Sequence, residues 1–252
     1  LMLRILPGLM LAGAGHFNMV VAAQMSSSLP SAVSWLYYAD RLFQLPLGFV
    51  AAAIGTVLLP EVSRALSAAD HAGARAAGGR AIEFGFMLVL PAALSLAVLA
   101  DPIVTVIYRH GAFSSADARA TAEVLRALAF ALPGFVLVKA LLPPYLAREN
   151  IRTPLVAALA GVLVNILVTL SLIGSLGHVA APLGVAASAF VNAGVLAVGL
   201  RGTGDLPFDA MSRRNLAAIA LASFATAGVA FLLQGVFGDA LPAIRSEAFL
   251  RL

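Results

Sequence analysis

About seven mostly apolar runs of some 20 residues follow one another along this chain, near positions 4–26, 34–60, 80–100, 119–142, 153–174, 180–200 and 214–236. Each is long enough to cross roughly 30 Å of hydrocarbon as a helix. A bilayer core offers backbone groups no water, so a spanning segment must satisfy its own hydrogen bonds, and a helix does so. Strand-like alternation of apolar and polar residues is absent, which excludes a β-barrel. The expected fold is all-α, a polytopic transmembrane helix bundle with about seven spans. The charge content agrees. Only 11% of the residues are charged and 61% are hydrophobic, whereas soluble domains carry about 25% charged residues.

Cysteine is absent, so the chain has no disulfide framework and no thiolate metal site. The net charge is +4, but no basic run exists. The arginines stand at the ends of apolar segments, where they suit an anionic membrane face and not a nucleic acid. The chain opens on Leu1 directly into an apolar run. It closes on 244–252, which reads as the lead-in to another helix. Both ends read as cut, and the chain as part of a larger protein. Arg4 ahead of an apolar run resembles a signal peptide, but His16 and Asn18 inside the run and the further spans behind it argue against one.

Arginine counting gives an orientation. Connections after the second, fourth and sixth runs carry eight arginines: Arg64, Arg75, Arg80, Arg148, Arg152, Arg201, Arg213 and Arg214. The other connections carry four: Arg109, Arg119, Arg245 and Arg251. The first set is expected to be cytoplasmic. Of the two long connections, 61–80 is expected to form an amphipathic cytoplasmic helix and 101–119 a structured outer-face segment. Ala157 with Gly161, and Gly184 with Ser188, form small-residue faces suited to close helix packing. Pro46, Pro91 and Pro133 are expected to bend their helices.

Asp40 and Arg41 sit together in the second run. A charge in a lipid-facing helix costs roughly 2.5–3.5 kcal/mol on insertion scales, so the pair implies a polar cavity or a partner. Tyr37, Asp40, Arg41, Gln44 and Gly48 recur at three- and four-residue spacing and are expected to line one helix face. Leu42, Leu45 and Phe49 are expected on the other side. Arg41 has the fork of donors that binds phosphate oxygens; a structural ion pair is the competing reading. Neighbours at i and i+1 point in different directions, so each charge is expected to meet something beyond its own helix. Gln44 and Tyr37 read equally as ligand contacts and as interhelix hydrogen bonds. Lys139, the only lysine, reads as a cavity charge or as a side chain snorkelling to headgroups.

Asn165 and Thr169 lie four apart on the fifth run. With Asn18 from the first they could offer oxygens to a sodium ion. Hard cations want several oxygens, usually with a carboxylate, and none is present, so interhelix hydrogen bonding competes. His16, a lone histidine in an apolar run, is a candidate proton relay or a packed core residue. No HExxH, GxSxG, P-loop or paired-carboxylate motif occurs, so no enzyme is expected.

The stretch Ser31–Arg64, with its YYADRL (37–42) and GTVLLP (55–60) elements, closely resembles the MurJ (MviN) family of lipid II flippases. YRHGAF (108–113), Lys139 ahead of Pro143, and RENIRTP (148–154) add to the resemblance, which runs in order along essentially the whole chain. It implies the multidrug/oligosaccharidyl-lipid/polysaccharide exporter superfamily, with two helical lobes around the substrate followed by a helix pair bordering a lipid-tail groove. Residues 1–200 would be the second lobe, with six transmembrane helices. Residues 201–252 would be the next helix and the start of a final one. The partner lobe is missing.

The resemblance further implies that Asp40 and Arg41 face the central cavity, with Arg41 helping to bind the lipid II pyrophosphate. Gln44 stands where some relatives carry an acid. Asn165 matches a position proposed as a sodium ligand, while Thr169 replaces an expected acid. No organic cofactor is implied, and sodium or membrane-potential coupling stays open. The implied partners are lipid II, membrane lipids and the first lobe, with no nucleic acid, and the implied location is the bacterial cytoplasmic (inner) membrane, crossed many times. Two alternatives stand beside it: a related exporter of another polysaccharide-lipid or a drug, and a non-transporting scaffold of cell-wall synthesis.

Overall fold

The computed structural model describes residues 17–207 and 210–237, without the side chains of 210–213 and 236–237. His16, the first half of the 4–26 run, the side chain of Arg213 and the 238–252 tail lie outside the described residues. The described chain is helical from 17 to 26 (α1). It continues through α2 (Ala32–Ser67), α3 (His71–Val98), α4 (Ala100–Tyr108), α5 (Ser115–Ala129), α6 (Ala131–Leu141), α7 (Pro143–Ala147), α8 (Arg152–Leu176), a short 3₁₀ turn, α9 (Ala180–Gly202) and α10 (Ala210–Phe237). No strand occurs among the described residues. Among the described residues, five helical stretches are long and apolar enough to cross a membrane, and the longest, Arg152–Gly202, holds both α8 and α9.

Hydropathy located these helices but not their ends. Residues 61–80 do not form a separate amphipathic helix. They are the end of α2 and the start of α3, joined by a turn at 68–70. Alanine-rich sequence continues a helix cheaply in water, and an ion pair between Glu61 and Arg80 ties the two shafts together beyond their apolar parts. Asp70 caps α3 by accepting from the Gly73 amide at 2.8 Å, which satisfies an otherwise orphaned N–H. The 119–142 run is also not one helix. It breaks at Phe130, so Pro133 falls in the first turn of α6, where the missing N–H would have had no partner anyway. Pro46 and Pro91 lie inside α2 and α3 without ending them.

The 101–119 connection forms α4, a turn and the start of α5. Ser114 and Asp117 close a reciprocal capping box on α5, and Asp117 also accepts from the Trp35 indole N–H at 2.9 Å. Tyr38 packs against Tyr108 and Phe113, with ring centroids 4.9 and 5.3 Å apart. The start of α2 is thereby fixed to this segment.

α8 and α9 run antiparallel. Gly161 lies opposite Ser188, and Gly184 opposite Asn165 and Thr169. These are the small-residue faces read from the sequence. On the outside, Val156, Leu159, Leu163, Leu167 and Leu170 expose a row along α8, and Leu221, Phe224, Phe231 and Leu232 do so on α10. Exposed apolar rows this long are suited to lipid, not to water.

Candidate functional site

α2 carries two functional faces where the sequence reading expected one. Asp40, Phe43, Gln44, Leu47, Gly48 and Ala51 turn toward a cavity of about 340 Å³. α1, α6, α8 and α9 supply the remaining walls, including Asn18, Phe135, Lys139, Pro154, Ser188 and Asn192. Asp40 is 8% exposed and accepts from the Gln44 amide. Arg41 and Tyr37 are not in this cavity. One residue is about 100° of helical rotation, which takes Arg41 a quarter-turn away from Asp40. There the Arg41 guanidinium stacks on the Tyr37 ring, 4.5 Å from its centroid. Both side chains are exposed, and Leu45 and Phe49, expected on the greasy back, continue the same outer face. Leu42 alone of that expected trio is buried.

Lys139 reaches the cavity from α6, so the acid and the lysine meet in one space. Its side chain is exposed and forms no ion pair with any described residue. The sequence reading passed over Asn192. Its only signal was a lone polar residue in an apolar run, four positions after Ser188 and thus on the same face of α9.

Beside the cavity lies a buried polar cluster. The Asn165 amide donates to the Asn18 carbonyl at 3.0 Å and to the Asn18 side-chain oxygen at 2.6 Å. The Asn18 amide donates to the Ser188 hydroxyl. Thr169 donates to Asn165 Oδ1 at 3.2 Å. Asn165 and Thr169 are fully buried, and Asn18 and Ser188 nearly so. The structure thus brings together the three residues considered for sodium and joins them to one another and to Ser188 by hydrogen bonds. Two NH₂ groups donate into the cluster, the side-chain oxygens of Asn18, Asn165 and Ser188 accept, and no carboxylate of a described residue belongs to it. Hard cations are held by oxygens with negative charge among them. No group of three or more His, Cys, Asp or Glu side chains suited to a metal occurs among the described residues. The cluster pins α1 to the α8–α9 pair.

A second cluster stands at the end that arginine counting assigns to the cytoplasm. Asp205, in the α9–α10 connection, is 4% exposed and pairs with Arg148 after α7 and with His71 Nδ1 at 3.0 Å at the start of α3. Arg75 donates to the neighbouring Gly204 carbonyl at 2.7 Å. Burial pushes the Asp205 carboxyl up, but hydrogen bonds from Arg148, Thr203 and His71 outweigh it and hold the group below its ordinary value of 3.8. A carboxyl depressed by folding adds stability above its unfolded pKa, and that stability disappears as pH falls through the folded pKa. The melting temperature of the protein is therefore expected to fall as pH drops from about 5 through the folded pKa of this carboxyl, and the Asp205→Asn variant is expected to lose part of that dependence. Equal acid limbs for parent and variant, in thermal melts across this range, would refute the assignment.

Comparison with known proteins places these features. A family model described as lipid II flippase MurJ matches residues 1–244. A protein of Rhizobium tropici named "Probable lipid II flippase MurJ" is 35% identical over 234 residues, covering 93% of this chain and 44% of the relative. One of the same name from Rickettsia prowazekii is 35% identical, over 75% of this chain and 38% of its own length. A Burkholderia cenocepacia protein named "Lipid II flippase MurJ" is 29% identical, over 80% of this chain and 39% of its own length. The chain thus spans well under half the length of these relatives. The match runs through the cavity-lining residues of α2, α6, α8 and α9, so the all-α bundle described here is a membrane protein that belongs to the MurJ lipid II flippase family.

Proposed function

We propose that this chain is the second lobe, with the following helix, of a flippase that moves lipid II from the inner to the outer leaflet of the bacterial cytoplasmic membrane. One observation carries the reading: within a family of lipid II flippases, a buried carboxylate and a lysine that forms no ion pair among the described residues face one cavity inside a bundle of membrane-length helices. Movement by alternating access makes and breaks no covalent bond, so the lobe needs a wet path and charge recognition, not a catalytic constellation. Residues 1–200 form one side of that path and the first lobe of the same protein the other. The 214–236 helix borders the groove for the lipid tail. Arg41 supports this arrangement, because a guanidinium turned outward on a membrane helix is costly in lipid and suits a polar space between two lobes. Tyr37, stacked on Arg41, holds it toward that space. Asp40, Gln44 and Lys139 line the lobe's own recess.

The test is transport by the full-length protein. In cells depleted of their own flippase, it is expected to restore growth and lipid II export. Rescue of a different polysaccharide-lipid exporter instead would favour the superfamily alternative. Normal cell-wall function with both Asp40 and Arg41 neutralised would favour a scaffold.

The neutral Asn18–Asn165–Ser188–Thr169 cluster supports a second statement. The driving force does not enter through sodium at this cluster, which leaves the membrane potential as the candidate in this lobe. Lipid II translocation in vesicles is expected to run at the same rate in sodium and in potassium media at fixed potential. A rate that collapses without sodium, and recovers with it, would refute this.

A further inference from the structure

We propose that Asn192 reads amide and hydroxyl groups of the glycan–peptide part of the substrate headgroup, while the cations of the lobe serve its pyrophosphate. The inference rests on the flippase reading and deepens it.

Asn192 stands on α9 one turn from Ser188, facing the same cavity as Asp40, Gln44 and Lys139. The neighbouring polar groups already have partners. Ser188, Asn18, Asn165 and Thr169 are joined to one another, and Gln44 donates to Asp40. Asn192 is partly buried and makes no hydrogen bond to any described residue, and its carboxamide atoms stay open to the cavity. Val185, Ser188, Ala189 and Leu196 form the rest of the α9 wall, and none of them takes the carboxamide as a hydrogen-bond partner. The amide is thus left for whatever fills the cavity.

The chemistry of the two unpaired groups sorts the ligand. Lys139 offers three donors and a full charge, and so suits phosphate or carboxylate oxygens. Asn192 offers two donors and an acceptor with no charge. That set matches amides and hydroxyls, the groups of an N-acetylated sugar or a peptide, and has no particular advantage for a pyrophosphate. Recognition through a polar group that would otherwise be left unpaired is also the strong form of selectivity. A ligand that closes over Asn192 without a matching group takes water from the amide and gives nothing back.

The experiment uses the full-length protein in detergent. It measures binding of lipid II and of undecaprenyl pyrophosphate to the parent and to the Asn192→Ala and Asn192→Ser variants. Asn192→Ala is expected to weaken lipid II binding about tenfold, while undecaprenyl pyrophosphate binds as before. Asn192→Ser, which keeps a hydroxyl, is expected to fall between parent and Ala. Lys139→Ala is expected to weaken both ligands. Undiminished lipid II binding by Asn192→Ala overturns the proposal. So does an equal loss of both ligands in Asn192→Ala and Asn192→Ser, which would mark a merely structural role. Failure of the parent itself to bind lipid II overturns the flippase reading, and this inference with it.

Discussion

Gly184→Leu is expected to abolish the folded lobe. A Cβ at this position would collide with Asn165 Oδ1 and Thr169 Oγ1 and come within 2.8 Å of the Asn165 carbonyl oxygen. The last of these is helix backbone and cannot swing aside. α9 would have to move off α8, and that motion separates Ser188 from Asn18 and exposes the buried amide bonds of Asn165 to an apolar gap. Overpacking costs about 1–3 kcal/mol, and each buried polar group left without a partner about as much again. Together these reach the lower end of the 5–15 kcal/mol by which a typical domain is stable. Gly174→Leu is the matched control, because no atom lies within 4 Å of a Cβ placed there. Thermal melting and size-exclusion profiles of full-length protein in detergent are expected to show loss of the Gly184→Leu protein and survival of Gly174→Leu. Equal melting of the two variants would show that the α8–α9 contact is looser than the structure has it.

That contact was partly legible in the sequence, and its limits are instructive. Small residues four apart at 157 and 161, and at 184 and 188, announced two faces able to come close. Nothing local said that they face each other, or that Asn18 from a distant segment would close the polar cluster between them. Hydropathy located the membrane helices because lipid tolerates nothing else for 20 residues at a stretch. It could not locate helix ends, since helices run on past the bilayer wherever composition permits, as α2 and α3 do through 61–80.

The site shows the same division. Tyr37, Asp40, Arg41, Gln44 and Gly48 share helical spacing, yet a stripe that wide covers more than one environment once neighbours pack. Asp40 and Gln44 went into the lobe, and Tyr37 and Arg41 to its outer surface. Asp205 was invisible as a site because the cluster draws on three places in the chain, at 71, 148 and 205, which only the tertiary fold brings together. Asn192 was visible only as an isolated polar letter. An unpaired amide is a property of its surroundings, not of its sequence neighbours.

The separation of Arg41 from Asp40 decides what their variants should do, and Arg41→Ala carries the larger functional effect. Arg41 is exposed, stacks on the Tyr37 ring and forms no ion pair with a described residue, so its removal costs the lobe little stability. Its value lies in the complex with an anion, where charge-assisted hydrogen bonds contribute about 1.5–3 kcal/mol, or about 10–150-fold in affinity. Full-length protein carrying Arg41→Ala is therefore expected to melt like the parent, yet to fail to support growth or lipid II export in flippase-depleted cells. Arg41→Lys keeps the charge but loses the planar fork and the stack on Tyr37, and is expected to support export only weakly. Tyr37→Leu leaves the guanidinium in place without its platform, a loss of about 0.5–2 kcal/mol, and is expected to slow export without stopping it. This ranking, with Ala below Lys and Lys below Tyr37→Leu, separates anion recognition from a structural ion pair. A structural role would lower the melting temperature in the same order. Normal growth and normal export with Arg41→Ala would remove Arg41 from the substrate path and leave the recess of Asp40, Gln44 and Lys139 as the lobe's only charged contact with the headgroup.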